Sequence, residues 1–101
     1  MGRYIIAHDM GTSSDKAVLV DFEGRIIGTK TEPYPTYYPS PGFVEQNPDE
    51  YWSAVCAATK NLVEEHKIDP ADVKGIVFST QAMGIIPIDQ WGNVLHNNIT
   101  W

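Results

Sequence analysis

Residues 4–21 read YIIAHDMGTSSDKAVLVD, two apolar runs separated by the polar stretch DMGTSSDK at 9–16. The first run is rich in β-formers and closes on an acid, and glycine, threonine and two serines come soon after. Those residue types make a tight turn able to surround an anion. Gly11 lets backbone approach closely, Thr12, Ser13 and Ser14 carry hydroxyl donors, and Lys16 adds a cation. Asp9 has two readings at this point: its carboxylate accepts turn amides, as aspartates in turns often do, or it faces a ligand. Lys16 has a plain alternative as a solvated strand residue.

Outward from this turn, residues 3–8 predict a strand, and KAVLVDFEGRIIGTKTE at 16–32 predicts two more, joined as a hairpin around DFEG. Between Pro33 and Gly42 four prolines, three tyrosines and a glycine crowd together, which predicts extended or turning backbone packed on its own domain, with a sugar-stacking or partner surface as the alternative. Asn47 then caps a helix, Pro48 suits its first turn, and Glu50 completes a capping-box pattern. Apolar spacing of three and four predicts a helix over 48–66 that buries Trp52, Val55, Cys56, Thr59, Leu62 and Val63, with Cys56 as core packing. KIDPAD ends it. VKGIVFST at 73–80 reads as a parallel strand buried on both faces, and GIIPID with NVLHNNITW as a further pair around the QWGN turn. The order β-β-β-α-β places the chain in the α/β class. Its mixed sheet, an antiparallel trio extended by a parallel strand through a crossover helix, matches the opening of a ribonuclease-H-like half-domain.

Bulk properties narrow the function. Seven basic and thirteen acidic residues leave a net charge of −6, and no basic patch offsets it, so nucleic acid and anionic membranes are not expected partners. No apolar run reaches the roughly 18 residues of a membrane-spanning helix. The single Cys56 has no internal disulfide partner and the N-terminus lacks a secretory pattern, which together predict a soluble protein of the cytoplasm.

Three stretches resemble the FGGY family of carbohydrate kinases, which includes glycerol kinases and xylulokinases. DMGTSSDK is similar to the family's D-x-G-T-S/T-S-x-K/R loop, PGFVEQNPDEYW to its P-G-x-x-E-x-x-P-x-x-x-W segment, and GIVFSTQAMG runs on to NNITW as in the family. Members fold like actin and hexokinase, and full-length ones are much longer, so the resemblance implies an N-terminal fragment, residues 1–101 being the first part of the N-terminal domain. It implies ATP and Mg²⁺ as cofactors and a sugar or polyol as substrate. Asp9 would position the metal and the terminal phosphate, while Gly11, Thr12, Ser13, Ser14 and Lys16 would surround the phosphoryl oxygens. The catalytic base would lie beyond residue 101. A homo-oligomer is expected, and the fragment alone is expected to be inactive. The alternative is a non-catalytic sugar- or nucleotide-sensing module of the same fold.

The resemblance also places Gln81, Ala82, Met83 and Trp101 at the substrate pocket. Xylulokinases have Gln-Met-His where this chain has Gln81, Ala82 and Met83, and glycerol kinases have Gln-Arg-Glu. An alanine and a thioether make no strong hydrogen bonds, so this edge meets a less polar part of the substrate or leaves recognition to other residues. His8 stands where relatives usually carry an aliphatic residue. It reads as an internal histidine bonded to backbone, with no catalytic role.

Overall fold

The computed structural model describes residues 2–100. Three long strands come first: β1 at Tyr4–Met10, β2 at Ser14–Asp21 and β3 at Ile26–Pro33. A two-residue strand β4 at Glu45–Gln46 leads into helix α1 at Pro48–Glu65. A 3-10 turn at Pro70–Asp72 then brings the chain to β5 at Val73–Thr80, and a short β6 lies at Asn98–Ile99. The main sheet has the order β3-β2-β1-β5, with β1 antiparallel to β2 and parallel to β5. The predicted trio extended by a parallel strand is thus present.

The helix begins as expected, with Asn47 Oδ1 accepting from the Asp49 amide at 3.0 Å. The capping box is not completed, because the Glu50 carboxylate instead accepts the Tyr37 hydroxyl at 2.6 Å. The buried face is rotated from the expected one: Ala54, Val55, Ala58 and Leu62 are buried, while Trp52 and Cys56 are exposed. Small alanines face the sheet because they let the helix axis approach it closely, and the bulky indole has no room there. The core is Ile6, Ala17, Leu19, Ala58 and Leu62, with Tyr4, Val63, Ile68 and Val73 packed around it.

Side chains alternate along β1, so Ile6 and His8 face α1 while Asp9 points to the face without a helix. Strand β5 lies at the edge of the sheet rather than within it, and Ile76, Val77 and Phe78 are 49%, 53% and 47% exposed. Its apolar run therefore needs cover that these residues do not supply. Light scattering of the 101-residue chain at micromolar concentration should accordingly show self-association, and a clean monomer would remove this argument.

The last expected pair is only partly formed. Asp89 and Gly92 close the turn at 3.1 Å and Ile88 bridges Val94, but Asn98–Ile99 pairs with Glu45–Gln46 rather than extending a hairpin. That pairing brings the segment after β5 onto the segment before α1, and the site lies where they meet.

Candidate active site

The turn after β1 is held from inside. Gly11 donates its amide to the Ser14 carbonyl at 3.0 Å, closing the loop on itself. The buried Tyr34 donates its hydroxyl to the Gly11 carbonyl and, at 3.0 Å, to that of Ser14, and its backbone amide meets the Ser13 carbonyl at 3.1 Å. Gln46 Nε2 donates to the Thr12 carbonyl at 2.6 Å. All four carbonyls from Gly11 to Ser14 are thereby engaged. Among the described residues nothing meets the amides of Thr12 and Ser13, or the hydroxyls of Thr12, Ser13 and Ser14. A turn with its acceptors occupied and its donors free suits an anion.

Gly11 adds to this argument. Its backbone is not in the left-handed region, and a Cβ there would meet only the Ser14 carbonyl, at an ordinary 3.7 Å. The fold does not demand glycine, so what the missing side chain provides is space above the turn. Burial, with Tyr51, Asp15 and Asp9 nearby, pushes the Tyr34 phenol up to about 12. A phenol raised from its unfolded value near 10 stays a neutral donor throughout the neutral range, and the clamp is lost only as pH rises through the folded value.

Asp9 pairs with Lys16 across the β1–β2 ladder, and both side chains are exposed on the face that α1 leaves open. Among the described residues the Asp9 carboxylate accepts no turn amide. Among the described residues no group of three or more acidic, histidine or cysteine side chains is gathered there. A lone carboxylate still suits Mg²⁺, which keeps several waters and takes its remaining ligands from substrate phosphates.

Two clefts flank the turn. One, of about 320 Å³, is lined by Thr12, Ser13, Tyr38 and Gln46 among others. The other, of about 370 Å³, holds Gln81 and Ala82 of the expected substrate edge, with Tyr34, Tyr51 and Asn98. Gln81 is tied to the end of β1 by its amide, which meets the Met10 carbonyl at 2.9 Å. Met83 is 65% exposed and does not line that cleft, and Trp101 lies outside the described residues. Sequence reading missed Tyr34, Gln46, Tyr51 and Asn98. The packing expected of the Pro/Tyr segment holds for Tyr34, while Tyr37 and Tyr38 are exposed.

His8 is also corrected. Its partners are side chains rather than backbone: Nδ1 meets Asp15 Oδ2 at 2.6 Å and Nε2 meets Thr59 Oγ1 at 3.1 Å, and the ring stacks on Phe78. The pair is fully buried beneath the turn and ties β1 and β2 to α1.

The N-terminal domain model of the FGGY family of carbohydrate kinases matches residues 4–101. The chain belongs to that family. It is 39% identical to a glycerol kinase of Thermococcus gammatolerans over 101 residues, all of this chain and 20% of the relative. Against glycerol kinase 1 of Lactiplantibacillus plantarum the identity is 37%, over 98% of this chain and 20% of the relative. Among solved structures, a gluconate kinase from Lactobacillus acidophilus superposes with a TM-score of 0.90 at 31% identity, over all of this chain and 20% of that one. A xylulose kinase from the same organism gives 0.88 at 31%, over 98% and 20%. The chain thus spans 20% of the length of these FGGY relatives, and it has the actin- and hexokinase-like fold of sugar kinases as a partial half-domain.

Proposed function

We propose that the protein containing this FGGY segment transfers the γ-phosphoryl group of ATP to a hydroxyl of a sugar or polyol. The observation that carries the reading is the turn at 9–14, with four carbonyls bonded inward and the donors of Thr12 and Ser13 left free beside an unpaired acid. Those donors, with the Ser14 hydroxyl and Lys16, would bind phosphoryl oxygens. Asp9 would hold Mg²⁺, which when bound neutralises charge on the phosphates. The proton acceptor for the attacking hydroxyl is assigned to sequence beyond residue 101, as are the rest of this domain and a C-terminal domain that completes the nucleotide site. A cytoplasmic enzyme fits the lone Cys56, and the open edge at β5 fits self-association of the 101-residue chain by itself.

Substrate choice rests on the cleft that holds Gln81. Ala82 lines it without a hydrogen-bonding group, and the exposed Met83 is not part of its lining. The full-length protein, offered ATP, Mg²⁺ and a panel of polyols and ketoses, should release ADP in a substrate-dependent manner. Neither glycerol nor D-xylulose should give the highest kcat/KM. No substrate-dependent ADP release from any member would overturn the kinase reading, and a lead by glycerol or D-xylulose would overturn the reading of Ala82 and Met83.

A further inference from the structure

A trans peptide unit is planar, so its carbonyl and its N–H point in opposite directions, and fixing one aims the other. The Gly11 carbonyl shares such a unit with the Thr12 amide, and the Thr12 carbonyl shares the next with the Ser13 amide. Whatever holds those two carbonyls inward therefore turns the two free amides outward. For Gly11 the holder is the Tyr34 hydroxyl, and for Thr12 it is Gln46 Nε2, at 2.6 Å.

Neither holder has a substitute among the described residues. The phenol has one proton to give, and its other acceptor, the Ser14 carbonyl, is already met by the Gly11 amide at 3.0 Å. The Gly11 and Thr12 carbonyls have no second donor there. Both side chains are themselves fixed. Pro33 and Pro35 restrict the backbone on either side of Tyr34, and its ring, 6% exposed, meets the Tyr51 ring edge-on at 4.8 Å. Gln46 is 2% exposed, and its oxygen accepts Gln81 Nε2 at 3.1 Å, which keeps its nitrogen toward the turn. The unit after Gly11 is the one most easily disturbed, because glycine resists rotation least. Released from the phenol, it is free to swing, and an outward carbonyl sets its negative end against an anion.

We propose that Tyr34 and Gln46 are positioning residues for phosphoryl binding, Tyr34 aiming the Thr12 amide and Gln46 the Ser13 amide. The inference rests on the reading of the turn as the site of the transferring phosphate, and deepens it by naming what gives the turn its polarity. Neither side chain touches the phosphate in this scheme; each acts through the peptide unit that it holds.

The test reads the phosphate side of the full-length protein against the acceptor side. An amide donating to a phosphate oxygen makes a charge-assisted bond, worth about tenfold or more in affinity. Tyr34→Phe should therefore raise the KM for ATP by about tenfold or more, and move the KM for the acceptor by no more than about twofold. Calorimetric titration with tripolyphosphate and Mg²⁺, which needs no transfer, should show affinity weakened by a similar factor. Val55→Ala isolates the effect of stability: Val55 is buried on α1 and its side chain has no polar atom to offer the turn, so the variant should lower the melting temperature and leave both KM values as they are. An unchanged KM for ATP in folded Tyr34→Phe, or an equal rise in Val55→Ala, overturns the positioning role. If Tyr34→Phe does not fold, Gln46→Met carries the test, because methionine fills a similar length and donates nothing to the Thr12 carbonyl. Unchanged tripolyphosphate affinity in that variant then overturns the proposal. Tripolyphosphate binding that weakens in the variants, in a protein that phosphorylates no acceptor, sinks the kinase reading alone. Transfer with both phosphate-side readouts untouched sinks the positioning roles alone, and neither binding nor transfer in the unmodified protein overturns both.

Discussion

Asp9→Asn in the full-length protein should lower turnover by about two or more orders of magnitude while leaving the fold intact. Both halves follow from where the residue sits. Asp9 is the penultimate residue of β1, on the sheet face that α1 does not cover, it is exposed, and among the described residues its carboxylate bonds to nothing. Asparagine keeps the shape, so the strand pairing with Lys16 and Ser79 has no reason to change. What disappears is the exposed negative charge beside a turn furnished with donors, and with it, on the function proposed above, the ligand for Mg²⁺. Steady-state kinetics with a Mg²⁺ titration, beside a melting curve, checks the claim. Near-normal turnover in a folded variant would falsify the role of Asp9.

Asp15→Ala is expected to act on stability rather than charge at the site. The His8–Asp15 pair is fully buried, and removing the acid leaves the imidazole Nδ1 without its partner in the interior. Losing one partner of a buried pair costs about 3–5 kcal/mol, whereas replacing both by apolar groups is often close to neutral. His8→Leu combined with Asp15→Ala should therefore recover most of the loss, even though two polar groups are gone. Asp15 already carries one unpaired oxygen, Oδ1, which makes the apolar replacement easier to accommodate. Calorimetric unfolding of the parent, single and double variants of the full-length protein measures the coupling. A single variant as stable as the parent, or a double variant no better than the single, would show that the pair does not hold β1 and β2 against α1.

Both residues flank the same turn on opposite sides of the sheet, and their legibility differs accordingly. Asp9, Gly11 and the hydroxyl residues could be read from DMGTSSDK because a turn is a matter of neighbours: the residue types, their order and the strand before them suffice. The start of α1 was equally local, since Asn47 caps the amide of a residue two positions on. The three opening strands were legible for the same reason, as alternation and turn residues lie within a few positions of each other.

Other features belong to tertiary structure alone. Helical spacing fits several rotations of α1, and the sheet's close approach chose Ala54 and Ala58 over Trp52 and Cys56. An apolar run such as VKGIVFST is the same sequence at a sheet's centre or its edge, so its exposure depended on what else the chain places beside it. Gln46 reaches a carbonyl 34 positions earlier, Asn98 a hydroxyl 47 positions earlier, and His8 a hydroxyl 51 positions later. Such bonds depend on strand register and on how α1 lies over the sheet. The sequence by itself determined the turn and its row of hydroxyl residues. Only the packing of β4, α1 and β6 around that turn decided which way the neighbouring amides face, because each orientation is passed on through bonds between residues far apart in the chain.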